Sequence, residues 1–272
     1  MSAVPEVEPT FIAPGIYPDL PEADYHGDRN SLSASGMKKL LDAPAKFWHS
    51  LDNTEHKYVF DFGTAAHRKV LGVGAEIVTV DADDWRSKAA REARDEARAD
   101  GKVALLAKDA AVVDAMALAL ESHRLAAHLF TDGQAELSMF WHDEAWNVTR
   151  RARFDWLRQD GIAVDFKTTA NGNPNRLPAA CHDFGYHIQE AQYRDVAAGL
   201  DAEVSDFVFV FQEKTAPYLV TVARLDPSFV SLGRTRCAEA LERFRDCRNS
   251  GLWPGYTDDL TDLTISAPRW AS

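Results

Sequence analysis

The chain has 272 residues, 46% of them hydrophobic and 26% charged, with a formal net charge of -12. That is enough chain to bury one large core or two small ones, and the balance is that of a globular protein, neither disordered nor fibrous. No apolar run reaches the roughly 20 residues of a membrane span, and the opening MSAVPEVEPTFIAPG has no basic region followed by an apolar stretch, so neither a membrane protein nor a secreted one is expected.

The cysteines point the same way. Cys181, Cys237 and Cys247 form no C-x-x-C pair, so reduced thiols in a cytoplasm are expected, with no disulfide framework and no zinc or iron–sulfur site.

Taken in chain order, residues 1–16 are Pro-rich and predict a loose arm. LSASGMKKLLDAPAKFW follows, where Ser33 or Ser35 caps a helix with Met37, Leu40 and Leu41 on its apolar face, and Pro44 breaks it. A short helix is expected in DFGTAAHRKVLG, with Gly63 and His67 four apart on one face. His67 is a core histidine by default, but the missing bulk at Gly63 lets a ligand or metal approach it. From Asp81 to about Phe130 the pattern predicts helix throughout, a helical insertion with a break at Gly101.

Three strands are then expected: Glu136 to Trp141, Trp146 to Leu157 and Ile162 to Thr168, with turn residues between them. NGNPNRLP is a loop, HDFGYHIQEAQYRDVAAGL a single helix, and VSDFVFVFQ a central strand. Tyr218 to Leu225 adds another strand and Pro227 to Cys247 a closing helix. The sum is an α/β domain over residues 17–272, a mixed sheet flanked by helices.

The third strand carries the chemistry. Alternation puts Asp165 and Lys167 on one face and Phe166 on the other. A tight hairpin brings Asp155 beside Asp165. An Asp-x-Lys on a strand is commonly a solvated pair worth at most about 1 kcal/mol. Here Ala163, Val164 and Phe166 make the strand interior, where such groups are costly without a purpose. Two buried carboxylates call for a cation between them, and oxygen ligands suit magnesium or manganese.

Charge distribution qualifies the acidic total. Arg150, Arg151, Arg153 and Arg158 crowd the second strand around Asp155. Arg86, Lys88, Arg91, Arg94, Arg98, Lys102 and Lys108 form a second group, either a solvated ion-paired helix or an arm for phosphate. Asp258, Asp259 and Asp262 put part of the acidic excess in the tail, against Arg269 alone.

With these residues placed, the chain resembles the PD-(D/E)XK nuclease superfamily, and within it the RecE-type (exodeoxyribonuclease VIII) branch, with lambda exonuclease and the RecB nuclease domain as relatives. The matching pieces, in order, are Gly63 to His67 as G-x-x-x-H, Glu136 leading a strand, Asp155 in R-x-R-x-D, Asp165 and Lys167 as D-x-K, and Gln189 to Tyr193 as Q-x-x-x-Y. Phe154 replaces the signature proline, and Asp165 stands where many members have Glu. Relatives with an iron–sulfur cluster use four cysteines; this chain has three, so no cluster is expected.

The resemblance implies an αβββαβ core and hydrolysis of phosphodiester bonds. It implies Mg²⁺ or Mn²⁺ held by Asp155, Asp165, the Phe166 carbonyl and His67, with Glu136 reaching a second ion. Lys167 orients the attacking water, Gln189 and Tyr193 position the phosphate, and Arg151 and Arg153 are candidate phosphate clamps. It further implies a phage or prophage exonuclease that degrades linear double-stranded DNA from the 5′ end as a ring-like homo-oligomer, leaving 3′ tails for a RecT-like single-strand annealing protein. A non-cleaving nucleic-acid-binding protein on the same fold, or an endonuclease, is the alternative.

Overall fold

The computed structural model describes residues 11–52, 58–257 and 262–267. The first ten residues of the expected arm, and Asp258, Asp259 and Arg269 of the acidic tail, lie outside them. The N-terminal part opens with strand β1 (Gly15–Tyr17), helix α1 (Glu22–Gly27), strand β2 (Ser31–Ser33), helix α2 (Ala34–Asp42) and helix α3 (Pro44–Asp52). The Ser33 side chain caps α2 by accepting the Gly36 N–H, and α2 ends before Pro44 as expected, but Pro44 also starts a further helix that was not expected. Helix α4 (Tyr58–Leu71) precedes β3 (Ile77–Val80), α5 (Lys88–Ala99), β4 (Val103–Leu106), α6 (Ala107–Glu121) and α7 (Ala126–Leu129). Strands β5 (Gly133–Asp143), β6 (Val148–Arg158) and β7 (Ile162–Thr169) follow, then α8 (Leu177–Asp183), α9 (Tyr186–Ala198), β8 (Asp206–Glu213), β9 (Val220–Ala223) and α10 (Pro227–Ser250).

Among the described residues the main sheet has seven strands, ordered β1-β5-β6-β7-β8-β9, with β2 paired to β6. The pairs β5–β6, β6–β7 and β8–β9 are antiparallel and β7–β8 is parallel, so α8 and α9 form the crossover that a parallel pair requires. Period-2 alternation divides the core. Phe207, Phe209 and Phe211 of β8 pack with Phe154 and with Val196 and Ala197 of α9. Val208 and Val210 face the other way with Val164 and Phe166, against Ala66 of α4 and Met116, Leu120 and Leu129 of α6 and α7. The sheet is thus covered on both faces, which explains the near-continuous apolar run of β8.

Three expectations need correction. The arm is not loose up to residue 16: Ile12 is buried and Gly15–Tyr17 pairs with Ser138–Phe140 of β5, because an alternating stretch beside an open sheet edge gains a ladder. The segment from Asp81 to Phe130 is not helical throughout. Gly101 (φ 70) ends the first helix, and the buried run Val103–Leu106 becomes a strand parallel to Ile77–Val80. Its second half is core, not insertion, since α6 and α7 cover the main sheet. Finally, HDFGYHIQ is not one helix: α8 and α9 are separated by Phe184 and by Gly185, whose φ of 64 is left-handed.

Candidate active site

Sheet register assembles the site. β5 and β6 pair Ala135 with Trp156 and Leu137 with Phe154, so Glu136 lies at the position opposite Asp155. β6 and β7 pair Trp156 with Val164, and one step further sets Asp155 against Asp165. The backbone ladder between β6 and β7 stops there, because the Asp155 carboxylate accepts the Phe166 N–H at 2.8 Å. Glu136, at φ 53, leaves the ladder in a strained left-handed conformation. Three acids therefore occupy neighbouring register positions on three strands where the strands part.

Other elements complete the arrangement. Helix α4 brings His67 Nε2 to 3.2 Å from Asp155 Oδ2, while its Nδ1–H donates to the Gly63 carbonyl at 2.9 Å. That second bond fixes the ring and leaves Nε2 facing the carboxylate. A Cβ added at Gly63 meets nothing within 4 Å, so the space expected over this helix face is there. Helix α9 supplies Gln189, whose Nε2 donates to Asp165 Oδ1 at 2.5 Å. Lys167 Nζ lies 2.5 Å from Asp165 Oδ2 and 5.3 Å from the centre of the Tyr186 ring. Lys167 is thus in direct ion-pair contact with the buried Asp165 Oδ2, which no other donor reaches.

Burial sets the direction of titration at Asp165 alone; at Asp155, His67 and Lys167 neighbouring charge overcomes it. Burial pushes Asp165 up to about 6, with Asp155 acting in the same direction and Lys167 and His67 against it. Asp155 is lowered: burial opposes this, but the His67 charge and hydrogen bond and the Lys167 charge prevail. Burial works against the charge on His67 also, yet Asp155 raises it to about 9. Lys167 is raised by the two aspartates against the cost of burial.

The remaining candidates separate into two groups. Tyr193 lines the cleft, with its ring packed on Phe154 and Phe207. Arg153 also lines it, but is held by Glu136, the Leu20 carbonyl and Ser138. Arg151 is not a phosphate clamp. It is buried and donates to the Asp28 carbonyl and to Ser31, fastening the α1–β2 connection to β6. Arg150 and Arg158 are likewise committed, to Asp143, Asp195 and Gln192 in one case and to Asp160 in the other. Of the second basic group, Arg86, Lys88, Arg94, Arg98 and Lys102 are ion-paired, which favours the solvated-helix reading. Buried arginines and surface arginines look alike in sequence until the acid that holds them is located in space.

Glu136, Asp155 and Lys167 line a cleft of about 1750 Å³, whose walls also carry Lys38, Arg68, Arg176 and Lys214, with Asp165 buried just behind. Lys38 and the aromatic pair Phe184 and Tyr186 are site residues that sequence reasoning did not single out. Lys38 is reached from α2, 146 residues before its hydrogen-bond partner Phe184, a separation that no local pattern signals.

The residues present fit a divalent cation. A buried carboxylate oxygen on Asp165 that Lys167 alone reaches, a second carboxylate beside it in register and an oriented imidazole are a hard-cation donor set. Among the described residues no three His, Cys, Asp or Glu side chains converge as a ready-made cage. A magnesium-like ion retains water and takes substrate oxygens, so it does not require one.

Fold and site together define a PD-(D/E)XK-type domain. A family model for a PDDEXK-like domain of unknown function (DUF3799) matches residues 33–262, and the chain belongs to that family. The crystal structure of a "putative exonuclease" from Eubacterium rectale resembles it with a TM-score of 0.63 and 12% identity, over 92% of this chain and 96% of that one; this likeness shows the fold. The crystal structure of SSO0001 gives 15% identity over 71% of this chain and 88% of that one, at a TM-score of 0.31, too low to bear on it. No curated protein matches the sequence. Among the described residues no helix is long and apolar enough to cross a membrane.

Proposed function

We propose that this protein is a metal-dependent deoxyribonuclease. The observation that carries the reading is the register that sets Glu136, Asp155 and Asp165 side by side on three strands, with Lys167 on the face of Asp165. Asp155, Asp165, the Phe166 carbonyl and His67 would hold Mg²⁺ or Mn²⁺, which when bound supplies Lewis acidity toward phosphate and water. Gln189 holds Asp165 Oδ1, so a cation would take Oδ2 and displace Lys167 from it toward the phosphate. Lys167 stabilises negative charge growing on the phosphate and donates a hydrogen bond to the attacking water. Tyr193, rigid between two phenylalanines, positions the substrate. Glu136 is kept near the acids by Arg153, which is raised in role from clamp to holder.

The finer reading is an exonuclease that degrades one strand of linear duplex DNA from the 5′ end, as a ring-like homo-oligomer feeding a strand-annealing protein. Two features support it: the resemblance to the RecE-type branch, and a net charge of -12 that a ring would keep outside while gathering the clefts within. The test is incubation of end-labelled linear duplex, and of a closed circle, with Mg²⁺ or Mn²⁺. Release of 5′-terminal nucleotides from the linear DNA alone is expected. Nicking of the circle supports an endonuclease instead, and no cleavage of either overturns the assignment.

A further inference from the structure

Phe184 sits in the short break between α8 and α9, and it is 62% exposed in the cleft. Isolated surface phenylalanines are ordinary, but this one is built in. Its N–H donates to the Ala180 carbonyl at 2.9 Å, and its own carbonyl accepts from Lys38 Nζ at 3.1 Å. The next residue, Gly185, has φ 64, and a side chain there would press on the Lys38 stem, so the turn is fixed from both sides. The ring lies nearly parallel to Tyr186, 5.8 Å centre to centre at 24°. Tyr186 in turn stacks on core Phe209 at 5.7 Å and lies under the Lys167 ammonium at 5.3 Å. An aromatic ladder thus runs from the core to the cleft lip and passes beside the reacting lysine.

The geometry points to Phe184 as a stacking platform for an unpaired base of the strand being cut. This rests on the nuclease reading of the same cleft. The contacts of 5.3 and 5.8 Å through Tyr186 put the ring within roughly one or two nucleotides of a phosphate at Lys167, on the scale of the 3.4 Å rise per nucleotide and the longer steps of an extended strand. Lys38 supplies a cation for the intervening phosphate. Inside a duplex both faces of a base are already covered, so such a ring captures a base only at a frayed end or in a single strand. The cleft therefore favours strands with an unpaired nucleotide next to the scissile bond.

The experiment uses the full chain in Ca²⁺ without Mg²⁺, and a single-stranded oligonucleotide carrying one 2-aminopurine, whose fluorescence is quenched on stacking. The wild type is expected to bind and to quench. Phe184→Leu, which keeps apolar bulk without a π face, should bind roughly tenfold more weakly and lose the quenching, in line with the usual value of one base–aromatic stack. Phe184→Trp should keep both. Wild-type affinity and quenching in Phe184→Leu overturn the platform while leaving the nuclease reading intact. Failure of the wild type to bind any DNA defeats both.

Discussion

Asp165 illustrates how one carboxylate can be both costly and useful. It is buried, one oxygen is held by Gln189, and the other is in ion-pair contact with Lys167. Asp165→Ala is therefore expected to abolish cleavage and to remove the thermal stabilisation that Mg²⁺ or Mn²⁺ gives the wild type, about 2.7 kcal/mol at 100 times the dissociation constant. Lys167→Ala should abolish cleavage by about 100-fold or more yet retain the metal-induced shift in melting temperature. Near wild-type cleavage by either variant would contradict their roles. His67 makes a separate prediction for the metal-free protein. Its pKa is raised to about 9 by Asp155 against burial, so its contribution is complete below about 6.5 and is lost as the pH climbs through 9. Asp165, raised to about 6, acts below this window: ionising it costs stability between about pH 4 and 6. The melting temperature of metal-free protein should fall from pH 6.5 to 9, and His67→Gln should flatten that slope. A wild-type profile that is level over this range would show that the His67–Asp155 pair is not formed.

At the scale of elements, Arg151 shows what a fold does with a residue that looked like substrate chemistry. It ties the α1–β2 connection to β6 through Asp28 and Ser31, and its face lies against the Tyr25 ring. Arg151→Ala leaves Asp28 buried without its partner and should cost about 3–5 kcal/mol in urea unfolding, with the folded fraction keeping its DNA affinity. A stable variant with weakened DNA binding would restore the clamp. The same contrast explains what the sequence made legible. The three strands expected from Glu136 to Thr168 were readable because their alternation is local. The structure brings His67, Asp155, Asp165, Lys167 and Gln189 together, with Gln189 on Asp165 where the motif assigns it to the phosphate. The β3–β4 pair was hidden because Val103–Leu106 is a short apolar run that helix and strand accommodate equally, decided only by the distant Ile77–Val80. The break at Gly185 was hidden because one glycine inside a helical pattern can be tolerated as well as left-handed, and the Lys38 stem that leaves no room for a side chain there belongs to an element far away in sequence.

Across the whole molecule, a charge of -12 must coexist with a cleft that admits a polyanion. Most basic side chains are spent internally: Arg150, Arg151, Arg153 and Arg158 hold the sheet, and Lys167 neutralises Asp165. Lys38, Arg68, Arg176 and Lys214 line the cleft, and among the described residues none of the four is in an ion pair with an acid. If each contacts one phosphate, binding of a single strand should weaken with salt along a log–log slope of about -3, from roughly 0.7 released counterions per phosphate. Arg176→Ala and Lys214→Ala should each reduce the slope by somewhat under one unit and weaken all sequences alike. The measurement is fluorescence anisotropy from low to moderate salt in Ca²⁺ buffer, paired with light scattering. A slope near -3 from a monomer confines recognition to this cleft. A slope several-fold steeper, appearing only in an oligomer, would mean that neighbouring protomers add their own clefts to one strand, which is what a ring requires. A slope near zero would remove the phosphate-binding role from these four side chains.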